Sequence, residues 1–229
     1  MGGSNLSYVM YVCFLIPMLL ALFSLGRWER LVVSCILIGA TVCLAVSEVN
    51  ALLYGLTGRD MLYYTTTISP IVEEIVKALP VLIYAFAVSS DRDRLISISF
   101  AVGLGFAIME NMIIFTQNLN DMNVMWAIVR GFGAGLMHSV CTVAVGIGIS
   151  LVRTKRKLFY CGTAALLMMA ITYHAIFNTI AQSPYRTLGF AIPVLTYIPI
   201  LYFWIGRRNR KTTNKKRKEL PVYLERDRS

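Results

Sequence analysis

Long apolar runs separated by short polar breaks dominate the pattern along the 229-residue chain. A helix needs about 20 mostly apolar residues to cross roughly 30 Å of hydrocarbon. Runs of this kind lie at 8–25, 31–54, 68–88, 95–118, 126–152, 158–181 and 188–205. The pattern therefore predicts an all-α fold, a polytopic membrane helix bundle of about seven transmembrane helices.

Composition supports a membrane protein. The chain is 57% hydrophobic and 15% charged, whereas soluble domains carry about 25% charged residues. The first apolar run lacks a basic segment before it and a small-residue cleavage site after it, so we expect a retained span and not a signal peptide. We predict a transmembrane domain over residues 1–206 and a basic tail over 207–229. An integral, multi-pass protein of a prokaryotic plasma membrane is expected.

The net charge of +10 is concentrated near the C-terminus, where the tail follows the last apolar run directly. Basic clusters beside a span fix topology and contact anionic lipid headgroups. We therefore expect a lipid partner for the tail and no nucleic acid. Basic residues also fill the first, third and fifth breaks between spans. This bias predicts an N-terminus outside the cell and a cytoplasmic C-terminus.

Ionisable side chains inside the predicted spans are few: Glu48, Glu73, Glu74, Lys77, Glu110, His138 and His174. Such residues are costly in a bilayer and usually face a cavity or each other. Counting from the cytoplasmic charges places Glu73, Glu110, His138 and His174 roughly 22–27 Å from the inner boundary. Four different helices thus contribute to one polar layer in the outer half of the membrane. Glu48 lies at a similar depth, but no motif includes it, and we leave it out of the site.

Two histidines with carboxylates at one depth are typical of a catalytic zinc site that keeps a position open for water. A further carboxylate would then take a proton from that water. The residues leave open whether a metal or a glutamate alone activates the water, and both histidines in the layer favour a divalent metal, with zinc expected. No HExxH motif is present, and the spans contain no aspartate pair.

Two other classes of protein also place Glu and His inside a membrane. One is an ion- or proton-coupled transporter, but no inverted repeat is visible in the sequence. The other is a non-catalytic membrane scaffold in which the polar residues only hold the bundle together.

Four short motifs carry a resemblance to a known family: EEIVK at 73–77, GFAIMEN at 105–111, MHSV at 137–140 and HAIFN at 174–178. Together they resemble the PrsW family of intramembrane proteases, which is related to the type II CAAX prenyl endopeptidases with the pattern EExxxR, FxxxH and HxxxN/D. Glu110 takes the place of a histidine in that pattern, and Lys77 replaces its arginine one position earlier. Both differences fit PrsW better and argue against prenylated substrates.

The resemblance implies cleavage of membrane-anchored protein substrates, such as anti-sigma factors, on the extracytoplasmic side. It implies catalytic roles for Glu73 and Glu74, with His138 and His174 completing the site. We assign Glu73 as the general base for water and Glu74 as a further ligand or as the partner of Lys77. The expected metal ligands are Glu110, His138 and His174. Asn178 is expected to donate to the tetrahedral oxyanion, as a positioned amide can.

Overall fold

The computed structural model of the protein describes residues 3–118, 124–153, 155–185, 191–198 and 202. These residues are largely helical and contain no β-strand, so the predicted all-α fold is confirmed. The helices are α1 (Gly3–Ala21), α2 (Arg27–Thr57), α3 (Met61–Tyr63), α4 (Ser69–Ala87), α5 (Arg92–Gln117), α6 (Val124–Ile149) and α7 (Arg156–Ala181). Residues 191–198 are also helical.

Within the described residues, four helices, α2, α5, α6 and α7, are long and apolar enough to cross a membrane. The apolar part of α1 is shorter, Leu6–Ala21, and α4 carries three charged residues among its 19. The seventh predicted span, 188–205, lies only partly within the described residues, and the basic tail lies outside them. The number of seven spans, the orientation and the domain boundary at residue 206 stay predictions.

The chain divides into two compact units, Met1–Pro193 and Val194–Ser229. In the second unit, the described residues are 194–198 and Tyr202, and they are helical. Every site residue discussed below belongs to the first unit.

Local sequence signals mark several helix ends. Gly58 ends α2 with a φ of 59°, a left-handed conformation that glycine adopts at little cost. Asp91 begins α5, because its carboxylate accepts a hydrogen bond from the backbone nitrogen of Arg94 at 2.9 Å. Such capping satisfies a backbone donor that the first helical turn leaves without a partner.

A π-helical turn, Tyr64–Ile68, joins α3 to α4. It contains three consecutive threonines. The hydroxyls of Thr65 and Thr66 donate to the backbone carbonyls of Met61 and Leu62 at 2.9 and 2.7 Å, a type of contact that bends helices. Short π-helical turns are rare and are frequent at functional sites.

Helix α4 lies at the centre of the bundle, where it packs against α2, α5, α6 and α7. The neighbouring contact between α5 and α6 depends on a glycine. A β-carbon on Gly103 would lie 2.6 Å from the carbonyl oxygen of His138, which is too close for any larger residue. Small residues of this kind let membrane helices approach closely. The polar residues of α4 are therefore surrounded by helices that bring their own polar side chains.

Candidate active site

The polar layer predicted from the sequence forms a buried cluster. Glu73, Glu74 and Lys77 of α4 are all buried, and so are His138 of α6 and His174 of α7. Five ionisable side chains from three helices thus share one interior region. Burial of this many charged groups is affordable only when they contact each other.

Three of these residues offer metal-ligating atoms close together. One ligand atom each from Glu73, His138 and His174 lies within 4.8 Å of the others. Oε2 of Glu73 is 3.7 Å from Nε2 of His174, and the two imidazole rings meet edge to face with their centroids 4.8 Å apart. Two imidazoles and one carboxylate are a normal ligand set for catalytic zinc.

Two atoms facing each other in this cluster have no hydrogen-bond partner within the described part of the chain. They are Oε2 of Glu73 and Nε2 of His174, and both are buried. Buried polar atoms nearly always have a partner, and one that lacks it calls for an unseen water or ion. The donor set and these two atoms therefore fit a divalent metal.

The orientation of His174 is set by Glu74. Oε1 of Glu74 accepts a hydrogen bond from Nδ1 of His174 at 2.8 Å and another from Nζ of Lys77 at 2.6 Å. With its proton on Nδ1, His174 presents a lone pair at Nε2, the form in which imidazole binds a metal. Of the two roles considered for Glu74, its contacts are those of the partner of Lys77.

His138 is held between a cation and an anion. Nζ of Lys77 lies 2.8 Å from Nδ1 of His138, and Nε2 of the same ring lies 3.0 Å from Oε2 of Glu110. A protonated lysine can only donate, so Nδ1 accepts and the ring proton sits on Nε2, pointing at Glu110. Coordination of a metal by this nitrogen requires that the proton leave, and Glu110 is the carboxylate in contact with it.

Glu110 also pairs with Arg130 of α6, whose Nη2 lies 3.1 Å from Oε2 of Glu110. Both side chains are about one-fifth exposed, at 21% and 20%, whereas the side chains of Glu74 and Lys77 are fully buried. Among the described acidic and basic residues of the cluster, this pair is the least buried. Arg130 was not predicted to be a site residue, and its spacing from Glu110 in the sequence gives no signal of the pair.

Asn178 does not lie free in the cluster. Its Nδ2 donates to the backbone carbonyl of Thr65 in the π-helical turn at 3.0 Å. Asn178 lies one turn of α7 beyond His174, so this contact connects α7 to the segment that precedes α4. The predicted role of Asn178 at the oxyanion has no contact in its support.

Three residues near Glu73 were missed by sequence reasoning. Ser69 donates from its hydroxyl to Oε1 of Glu73 at 2.6 Å. Asn50 donates to the hydroxyl oxygen of Ser69, and Tyr64 donates to the amide oxygen of Asn50. Ser69 lies four residues before Glu73, on the same helix face, and this spacing was the available signal. Asn50 lies on α2 and nothing in the sequence connects it to the motifs.

Fold and site together define a class: a membrane helix bundle with a buried centre of carboxylates and imidazoles suited to metal-dependent hydrolysis. The model of the PrsW family intramembrane metalloprotease matches residues 15–204, and the chain belongs to this family. No curated protein and no solved structure matches the chain.

The protein is therefore an integral membrane protease, a metal-dependent hydrolase that acts on a membrane-embedded protein substrate. The resemblance found in the four motifs is confirmed. Family membership supports the protease hypothesis over the carrier and the scaffold.

Proposed function

We propose that the protein hydrolyses a peptide bond of single-span, anti-sigma-factor-like substrates near the extracytoplasmic side of a prokaryotic plasma membrane, with zinc as its metal. The observation that carries the site assignment is the pair of buried atoms without partners in the described structure, Oε2 of Glu73 and Nε2 of His174, 3.7 Å apart beside His138. The location of cleavage is supported by the depth of the polar layer and by the predicted orientation.

The proposal exchanges two roles that the sequence suggested. Glu73 becomes the carboxylate ligand beside His138 and His174, because one of its carboxylate oxygens lies within 4.8 Å of a ligand nitrogen of each ring. Glu110 becomes the proton-accepting group, because its carboxylate contacts His138 at the edge of the cluster and its side chain is partly exposed.

A divalent metal held by Glu73, His138 and His174 would supply a Lewis acid that activates water and polarises the scissile carbonyl. The remaining residues of the cluster prepare the site for it. Glu74 holds the proton of His174 at Nδ1. His138 would lose its Nε2 proton to solvent when this nitrogen binds a metal, which leaves the Glu110 carboxylate ionised to accept a proton from the substrate water. Arg130 keeps Glu110 in place and balances its charge.

Exchange of each carboxylate for its amide separates the two roles. Glu73→Gln is expected to abolish both zinc binding and cleavage of a single-span substrate in liposomes, and His174→Ala should do the same. Glu110→Gln is expected to keep zinc binding and to lower kcat by roughly 10²–10⁴, the usual contribution of a general base. Zinc content of protein purified without chelator and the rate of cleavage are the two measurements.

The reverse result would restore the roles first assigned from the sequence: zinc lost in Glu110→Gln but retained in Glu73→Gln. Glu48→Gln is the matched control, because Glu48 lies on α2 outside the cluster, where it accepts a hydrogen bond from Tyr8 at 2.6 Å. Its zinc content and cleavage rate should equal those of the unmodified protein.

A further inference from the structure

A chain of hydrogen bonds connects Glu73 to a residue outside the cluster. The hydroxyl of Tyr64 donates to Oδ1 of Asn50 at 3.0 Å, and Nδ2 of Asn50 donates to the hydroxyl oxygen of Ser69 at 2.8 Å. Ser69 in turn donates to Oε1 of Glu73 at 2.6 Å. The three bonds join α2, the π-helical turn and α4, and none of these three polar residues belongs to the family motifs quoted above.

With Glu73 ionised, as a metal ligand must be, the direction of every bond in this hydrogen-bond chain is fixed. The single proton of Ser69 goes to the carboxylate, so its oxygen must accept from Asn50, which only the amide nitrogen can supply. Reversal of the Asn50 amide would set two oxygen atoms against each other. The amide oxygen then remains to accept the phenolic proton of Tyr64. All donors therefore point toward Glu73, and bonds aligned in this way strengthen each other.

The chain occupies one oxygen of Glu73 and leaves the other for the cluster. Oε1 is taken by Ser69, while Oε2 faces Nε2 of His174 and has no partner within the described residues. We propose that Tyr64, Asn50 and Ser69 are positioning residues, which hold the Glu73 carboxylate so that Oε2 is presented for metal binding. This inference rests on the ligand role proposed for Glu73.

Tyr64, the first residue of this hydrogen-bond chain, is itself fixed by packing. Tyr64 is 2% exposed, and its ring meets that of Tyr54 edge to face with the centroids 5.4 Å apart. Asn178 of α7 fixes the same π-helical turn through the carbonyl of Thr65. The turn thus receives contacts from α2 and from α7, the helix that carries His174. Both helices therefore help to fix the position of the turn that precedes Glu73.

The test measures the affinity of the full-length protein in detergent for Zn²⁺ alone, by competition with a chromogenic chelator. Loss of a hydrogen-bond partner behind a metal ligand typically weakens binding about 10–100-fold. We expect such a loss for Ser69→Ala, a smaller loss for Tyr64→Phe, and recovery with Ser69→Thr, which keeps the hydroxyl. Tyr64→Phe removes one oxygen and keeps the packing on Tyr54, so the variant should fold.

Tyr63→Phe is the matched control, since it makes the same change at the neighbouring, exposed tyrosine. It should bind Zn²⁺ as the unmodified protein does. A purely structural role for the chain would lower the melting temperature of the metal-free protein and leave the Zn²⁺ affinity unchanged, and that result would overturn the proposal.

Glu73→Gln, measured in parallel, distinguishes the ligand role of Glu73 from the positioning role of the hydrogen-bond chain. Zn²⁺ binding that survives Glu73→Gln would overturn the ligand set and the positioning role together. Binding that is lost in Glu73→Gln but unchanged in both Ser69→Ala and Tyr64→Phe would overturn the positioning role alone.

Discussion

Two ion pairs flank His138, and they differ in how deeply they are buried. On one side, Lys77 and Glu74 are fully buried, with 2.6 Å between Nζ and Oε1. On the other, Arg130 and Glu110 are each about one-fifth exposed, with 3.1 Å between Nη2 and Oε2. The same histidine ring contacts a member of each pair through opposite nitrogens.

The difference in burial indicates that the two ion pairs have separate roles. Glu74 contacts His174, Lys77 contacts His138, and the two contact each other. Movement of either residue would therefore disturb the cluster, as expected of a scaffold. Glu110 and Arg130 lie at the partly exposed edge of the cluster, as expected of groups that exchange protons or meet a substrate. If this division holds, the inner pair should dominate stability and the outer pair should affect mainly catalysis.

The largest effect is expected from breaking the inner pair. Lys77→Met leaves Glu74 as a buried carboxylate without its cation, and Glu74→Gln leaves Lys77 without its anion; each should lower the free energy of unfolding by about 3–5 kcal/mol. Denaturant titration of the protein in detergent measures this. The double variant should lose less than the sum of the two, because the second substitution removes the charge that the first left unpaired. Additive losses would contradict a coupled scaffold.

An intermediate effect is expected at Phe106, whose ring centroid lies 4.6 Å from Nζ of Lys77. Phe106→Leu keeps an apolar side chain but removes the aromatic face, which is worth about 2 kcal/mol to a desolvated cation. Phe177→Leu is the matched control, as it is also buried and shares only the loss of volume. Equal losses in the free energy of unfolding for the two variants would show that the ring contributes by packing alone.

Much of this arrangement could be predicted from the sequence. Apolar runs gave the helices, since length and hydropathy are properties of each segment alone. Depth could be counted along each helix because the rise per residue is constant. On this basis Glu73, His138 and His174, on three helices, were placed in one layer, and the structure brings their ligand atoms within 4.8 Å.

The roles within the layer could not be predicted in the same way. Whether Glu73 or Glu110 lies nearer both imidazoles depends on how each helix is rotated about its axis. That rotation is set by helix packing, such as the close contact of α5 with α6 at Gly103. The π-helical turn before α4 was also unforeseen, because it shifts side-chain directions without changing the hydrophobic pattern. Asn178 illustrates the consequence: its amide was expected to donate to the oxyanion, while in the structure it donates to the backbone carbonyl of Thr65.

The smallest effect on stability is expected at the outer pair, where it also gives the sharpest test of the division between the pairs. Arg130→Met should lower the free energy of unfolding by only about 1 kcal/mol or less, since partly exposed ion pairs contribute little. It should nevertheless lower kcat about tenfold, because Glu110 loses the group that holds it beside His138. Cleavage rates and denaturant titrations of the same samples measure both, with the exposed Arg94→Met as control. A stability loss as large as that of Lys77→Met would mean that both pairs are scaffold.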